Sequence, residues 1–324
     1  MDAYYEFERP ITSLEKKITD LREMSSAEKM DFSTEIGALQ KKLENLIGEI
    51  YTNLSPWQRV QLSRHPQRPY SQDYIAQLFT DFQELHGDRK FQDDAAIICG
   101  VGRFRGQPVL VVGQQKGRGT KEKMKRNFGM AKPEGYRKAI RLMEMAARFE
   151  LPIITLVDTP GAYPGIDAEE RGQSEAIADS IMRMFDLPVP VLTVVIGEGG
   201  SGGALAVAVA DRVFMQEFST YSVISPESCA SILWSDSTKA EQAAKVLKLS
   251  APEVKGLGVV DGIVPEPQGG AHRDHARAAE LLGDHLWKHL QELMLKTGDE
   301  LRNERLLRFR KIGSEYLLHS PVEA

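Results

Sequence analysis

The chain has 324 residues, 42% of them hydrophobic, and a formal net charge of −5. That length supports a sizeable core in one or two domains, and the mildly acidic balance argues against nucleic acid as a partner. The apolar run 189–196 is too short to cross a bilayer. No signal-peptide pattern opens the chain, and its two cysteines, Cys99 and Cys229, read as core thiols, so a cytoplasmic location is expected.

In chain order, Ile11, Leu14, Ile18 and Leu21 recur at spacings of three and four, as do Ile36, Leu39, Leu43, Leu46 and Ile50. This predicts a helical hairpin over 11–50. Thr12 with Glu15, and Ser25 with Glu28, are spaced as capping boxes. Each helix is charged outside its apolar stripe, so it needs the other helix or another chain as cover. Residues 51–70, rich in Pro and Arg, read as a connecting segment. Residues 71–86 read as a helix with Tyr74, Ile75, Leu78, Phe79 and Phe82 on one face. An α/β core begins near Ala95. Residues 96–104 and 108–113 form a hairpin turning at Arg105-Gly106-Gln107, and 134–149 is an amphipathic helix. The division expected is 1–55 as an interaction hairpin, 56–94 as a connecting helical segment, 95–270 as the core and 271–324 as C-terminal helices.

The core carries two strand–glycine turn–helix units. Residues 152–157 are a buried strand followed by Asp158-Thr159-Pro160-Gly161-Ala162-Tyr163-Pro164-Gly165, then a helix with Glu169 and Glu170 in its first turn. Residues 191–196 are a second buried strand, followed by Gly197-Glu198-Gly199-Gly200-Ser201-Gly202-Gly203 and a small-residue helix over 204–210. The N–H groups of Gly202 and Gly203 fall in the first helical turn, where they lack intrahelical acceptors and can hold a phosphate or a developing oxyanion. Two such turns in tandem point to one edge of an open α/β sheet, where ligands bind. Short strands follow at 212–216, 221–224 and 259–264. Pro226 after Ser225 starts a helix, and helices at 274–296 and 299–311 close the chain.

Several motifs compete for the functional reading. Gly199-Gly200-Ser201-Gly202-Gly203 matches the G-x-S-x-G elbow, with Asp236 or Asp261 and His272 or His275 as the remaining triad members. Against this, no second oxyanion segment of the HGGG type is present. Asp158-Thr159-Pro160-Gly161 resembles a GTPase segment, but the chain has no G-x-x-x-x-G-K-[ST]. The basic stretch 116–126 is either a solvated face or a site for coenzyme phosphates or an acidic partner. The histidines give no HExxH motif. His272 and His275, three apart, read as surface residues, and no metal site is expected.

The segments GQQKGRGTKEKMKRNFGM, PEGYRKA, PIITLVDTPGAYPGIDAEERGQSEAIA, VIGEGGSGGALA, STYSVISPESCASILW and PEPQGGAHRD together resemble the carboxyltransferase α subunits of bacterial acetyl-CoA carboxylases. The resemblance runs from about Phe7 to the last helices. Gln114 departs from it where His is expected, and Ala131-Lys132 where Pro-Ala is expected. The resemblance implies a crotonase-like α/β fold of stacked ββα units and an α2β2 assembly with a zinc-ribbon β subunit. It implies transfer of a carboxyl group from carboxybiotin, on a biotin carboxyl carrier protein, to acetyl-CoA. The product is malonyl-CoA for fatty acid synthesis, and ATP is consumed by a separate biotin carboxylase. No protein nucleophile is needed for that chemistry. Gly202 and Gly203 would supply one side of an oxyanion hole for the biotin carbonyl, with Ala162 and Tyr163 on the facing loop. Gly161, Gly165, Gly199 and Gly200 would line the substrate, and Lys116, Arg118 and Lys121 would meet CoA phosphates. Another acyl-CoA, such as propionyl-CoA, a malonate system and a serine hydrolase using Ser201 remain alternatives.

Overall fold

The computed structural model describes residues 5–28 and 31–314. Helices α1 (Arg9–Glu28) and α2 (Ser33–Thr52) form the hairpin that the three-four spacing predicts. The helix starts earlier than either expected capping box. Thr12 lies inside α1 and its hydroxyl donates to Arg9 O at 3.0 Å, and Ser25 also lies within the helix. Ile11, Ile47, Tyr51, Leu54, Leu62 and Phe218 form one buried cluster, so the open end of the hairpin packs on its own chain. A buried carboxylate fastens the junction. Tyr51 Oη donates to Glu8 Oε1 at 2.6 Å, Tyr5 N–H donates to Oε2 at 3.0 Å, and His272 Nε2 lies 3.2 Å from Oε1. His272 is therefore not the surface residue expected: its side chain is 4% exposed and its ring lies 4.1 Å from that of His65. His275 bonds Gln67 O.

The connecting segment is built rather than loose. Helix α3 (Pro56–Ser63) has a capping box in which Ser55 Oγ accepts from Gln58 N–H and Gln58 Oε1 accepts from Ser55 N–H. Just beyond it, Arg68 is fully buried, with Nη2 at 2.6 Å from Glu266 Oε1 and Nε donating to Ile196 O at 2.6 Å. Helix α4 (Ser71–Leu78) then ends, and the chain straightens into strand β1 (Phe79–Glu84). The helix expected over 71–86 thus breaks at Phe79. Its second half finds backbone partners on β2 (Ile97–Phe104), with Phe79 opposite Phe104, and tertiary pairing overrides a local pattern that suited either structure.

β2 turns at Arg105 and Gly106 into β3 (Gln107–Gln114). Both turn residues have positive φ, 51° and 87°, as a two-residue hairpin requires. Then follow α5 (Gly119–Lys125), α6 (Pro133–Arg148), β4 (Ile153–Thr159), α7 (Ile166–Glu170), α8 (Gln173–Phe185), β5 (Val191–Gly200) and α9 (Ser201–Leu205). Next come β6 (Arg212–Gln216), β7 (Thr220–Ser222), α10 (Pro226–Trp234), α11 (Ala240–Leu247), α12 (Ala251–Gly256), β8 (Gly262–Val264), α13 (His275–Leu293) and α14 (Gly298–Lys311). Residues 206–210, expected to be helical, are irregular. They are nonetheless buried, and Ser180 Oγ donates to Ala206 O at 2.5 Å.

The strands form one mixed sheet in the order β1-β2-β3-β4-β5-β6-β8, with β7 paired to the far end of β5. β1, β2 and β3 are antiparallel, and from β3 onward the pairs are parallel. Alternate strand residues feed two cores. Cys99, Leu110, Val112, Val157 and Val195 face α6 and α8. Ile98, Val111, Ile154, Leu156 and Val194 face α4 and α13. The fully buried Arg305 fixes α14 to the sheet: its guanidinium pairs with Asp211 at 2.9 Å and donates to the carbonyls of Met184, Leu187 and Val189. Among the described residues no helix is long and apolar enough to cross a membrane.

Candidate active site at the carboxyl ends of β4 and β5

β4 and β5 are parallel neighbours, in register from Ile153 opposite Val191 to Val157 opposite Val195. Parallel register sends both glycine turns off the same edge, where they meet backbone to backbone. A Cβ placed on Gly200 would lie 2.2 Å from Pro160 O, and one on Gly203 would lie 2.5 Å from Ala162 N. Only glycine allows that approach. Gly202 is different, since a Cβ there would touch only Ile177 at 3.6 Å.

The loop after β4 is held by short-range bonds. Thr159 Oγ1 donates to Gly161 O at 2.7 Å, Tyr163 N–H donates to Ala131 O at 3.0 Å, and Gln173 Nε2 bridges the carbonyls of Ala131 and Tyr163. This corrects one expectation for the facing loop. The Tyr163 amide already has a protein acceptor, whereas no acceptor of the Ala162 N–H is found among the described residues. Across the gap, α9 begins at Ser201 and leaves the N–H groups of Gly202 and Gly203 without intrahelical acceptors. The acidic first turn after the facing loop holds Asp167 and Glu169 rather than Glu169 and Glu170.

Below the turns lies an ion-pair chain. Lys116 Nζ is 2.8 Å from Asp158 Oδ1 and 2.5 Å from Glu198 Oε2, and Arg64 reaches both Glu198 and Glu227 at 2.5 Å. Burial works against the Lys116 ammonium, but Asp158 and Glu198 outweigh it and hold its pKa above the usual lysine value. Burial also works against the Glu198 carboxylate, which Lys116 and Arg64 keep below the usual range. Burial lifts Asp158 in spite of Lys116. These groups join the ends of β4 and β5, because Asp158 Oδ1 also accepts from Glu198 N–H at 2.9 Å.

Several expected contacts are therefore redirected. Lys116 points into this network instead of toward a coenzyme phosphate, and its side chain is only 12% exposed. Arg118 pairs with Asp73 at 2.8 Å and covers the Tyr70 ring, while Lys121 is exposed on α5. Gly165 and Gly199 make room for the rings of Tyr163 and Tyr221, and Gly200 for Pro160. The protein itself uses their missing side chains. Gly161 faces open space. Arg64 and Glu198 went unrecognised in the sequence. Arg64 sits in the segment read as a connector, and its partner lies 134 residues away.

The serine-nucleophile constellation does not assemble. Ser201 has φ +50°, the strained backbone of an elbow. However, His272 bonds Glu8, His275 bonds Gln67 O, Asp236 caps the turn at Thr238, and Asp261 pairs with Arg308. An apolar cavity of about 350 Å³ opens beside the turn, lined by Gly202, Leu205, Tyr221, Val223, Leu247 and Val254.

Solved structures of similar fold come from carboxyl-transfer and decarboxylation enzymes. A transcarboxylase 12S structure matches with TM-score 0.53 at 21% identity, over 66% of this chain and 42% of that one. A Pseudomonas malonate decarboxylase hetero-dimer matches with TM-score 0.53 at 17% identity, over 69% of this chain and 92% of that one. The fold is thus the crotonase-like fold of the carboxyltransferases. Whole-length comparison is more specific. The family model described as acetyl co-enzyme A carboxylase carboxyltransferase-like matches residues 4–313. An acetyl-coenzyme A carboxylase carboxyl transferase subunit alpha of Rhizobium rhizogenes is 55% identical over 97% of this chain and 99% of its own length. One from Geobacter metallireducens is 57% identical over 95% and 96%. The chain belongs to this family of carboxyltransferase α subunits.

Proposed function

We propose that this chain, joined to a β subunit, transfers a carboxyl group from carboxybiotin on a carrier protein to acetyl-CoA, yielding malonyl-CoA. The observation that carries the reading is the backbone contact between the two glycine turns, which sets the N–H groups of Gly202 and Gly203 beside the Ala162 loop. When bound, carboxybiotin would supply the carboxyl group, and the charge left on its departure would fall on the ureido oxygen. The chain answers that charge with fixed N–H dipoles at the first turn of α9, which need no reorganisation as the charge develops. The apolar cavity beside Gly202 suits the apolar part of the same group. Lys116, Asp158 and Glu198 hold the two turns at their spacing and do not touch substrate in this reading. Lys121, exposed on α5, is the expected basic side chain left for coenzyme phosphates, Arg118 being paired with Asp73. Biotin carboxylase would recharge the carrier with ATP, in the cytoplasm.

The test is decarboxylation of malonyl-CoA with a biotin analogue, using this chain with and without its co-expressed β subunit. Turnover only in the mixture supports a site completed by the partner. A stable complex with no turnover on malonyl-CoA refutes the acetyl-CoA assignment and turns the search to other acyl-CoA substrates.

A further inference from the structure

One buried side chain spans the two turns, and the mechanism above does not use it. Gln114, the last residue of β3, is fully buried. Its Nε2 donates to Gly203 O at 2.7 Å, and its Oε1 accepts from Asp158 N–H at 3.2 Å. Its own carbonyl accepts from Ser71 Oγ at 2.7 Å, which fixes the backbone from which the amide projects. The amide thus joins the carbonyl side of the α9 turn to the end of β4, two residues before Pro160. From these contacts we infer that Gln114 is a positioning residue for carboxyl transfer, setting the direction and spacing of the oxyanion donors without touching substrate.

Carbonyls and amides of one helical turn point to opposite ends of it. An anchor on Gly203 O therefore aims the N–H groups of Gly202 and Gly203, which have no acceptor among the described residues, away from Gln114, toward the gap between the loops. The second bond ties the same amide to the strand that carries the Ala162 loop, so neither turn shifts without breaking a buried hydrogen bond. α9 has only five residues and cannot hold its own direction by length. The role needs one donor and one acceptor on a single side chain. A neutral imidazole also has both, a carboxylate lacks the donor, and a thioether has neither in useful strength.

This inference rests on the proposed transfer reaction, and its test separates the two. Gln114→Met, Gln114→Glu and Gln114→His are assayed in the assembled complex, alongside hydrogen–deuterium exchange of the peptides covering 158–163 and 199–206. Met and Glu are expected to lower kcat about 10²-fold, the cost of a displacement of roughly 1 Å, with the acetyl-CoA KM changed by less than about twofold. Exchange should quicken in both peptides. His should restore kcat to within about tenfold of the parent and return exchange to its level. Unchanged kcat and exchange in Met would overturn the inference, as would equal losses in all three variants. If one variant fails to fold, the others decide. If the parent complex itself transfers no carboxyl, the proposed function falls, and the exchange pattern still decides whether Gln114 holds the turns.

Discussion

Gly203→Ala adds a single methyl where the two glycine turns meet backbone to backbone. That carbon would stand 2.5 Å from both Ala162 N and Gly161 C, about 0.9 Å short of the 3.4 Å at which ordinary contact begins. The obstacle is backbone on both sides, and Gln114 and Thr159 hold those segments, so a side chain cannot swing away to absorb it. The turns must separate by nearly 1 Å. A displacement of that size at a reacting centre costs about 10² in rate, or roughly 2.7 kcal/mol of barrier. Overpacking of this kind also costs about 1–3 kcal/mol of stability, which leaves a domain of ordinary stability folded.

The assay is malonyl-CoA decarboxylation in the assembled complex, with thermal unfolding measured in parallel. The expected result is a cooperative transition at somewhat lower temperature and kcat reduced by about two orders of magnitude. Gly202→Ala is the comparison, because its Cβ meets only Ile177 at ordinary contact distance. Its loss should stay below about tenfold, since the backbone donors are kept. Gly203→Ala with kcat within a few-fold of the parent would refute the claim that the two turns form one site.

Ser201→Ala should retain activity to within a few-fold, because His272 and His275, the histidines of the candidate triad, bond Glu8 and Gln67 instead. A loss of several orders of magnitude, or labelling of Ser201 by a fluorophosphonate, would restore the hydrolase reading. Lys116→Met leaves Asp158 and Glu198 buried without their shared cation and should lower unfolding free energy in urea by about 3–5 kcal/mol. A change below about 1 kcal/mol would show that the network is slack. Burial opposes the Glu8 carboxylate, but bonds from His272, Tyr51 and Tyr5 outweigh it and hold its pKa down at about 2. A depressed carboxylate stabilises the native state above its unfolded pKa, and that contribution fades as pH falls from about 4.5 toward 2. The stability advantage of the parent over Glu8→Gln, at most about 3–4 kcal/mol at neutral pH, should therefore shrink across that window. An advantage independent of pH would refute the assignment.

Local patterns in the sequence carried much of this molecule. The hairpin over 11–50, the β2–β3 turn at Arg105-Gly106, the amphipathic α6 and both strand–glycine units follow from periodicity and from residues with distinctive backbone freedom. Each of those signals lies within a few positions, and short-range sterics decide it. The glycine-rich segments also marked the candidate site, since five glycines in seven positions have few other uses. What the sequence did not show depends on partners far away along the chain. Phe79–Glu84 became a strand because β2 offered it backbone partners. The helix after Ser201 stopped at Leu205, where the amides of Val207 and Ala208 close tight turns onto Ala204 O and Leu205 O and Ser180 Oγ takes the Ala206 carbonyl. Arg64 and Arg68 lie in the segment read as a connector and Arg305 in a closing helix, yet each is held by groups more than 90 residues away. Lys116 read as a ligand for coenzyme phosphate until Asp158 and Glu198 were seen to enclose it. The sequence by itself determined which segments can bend closely and expose their amides. Only the tertiary structure decided which of those amides stay unbonded and which charges are consumed in holding them, because a buried polar group takes whichever partner the fold brings within reach.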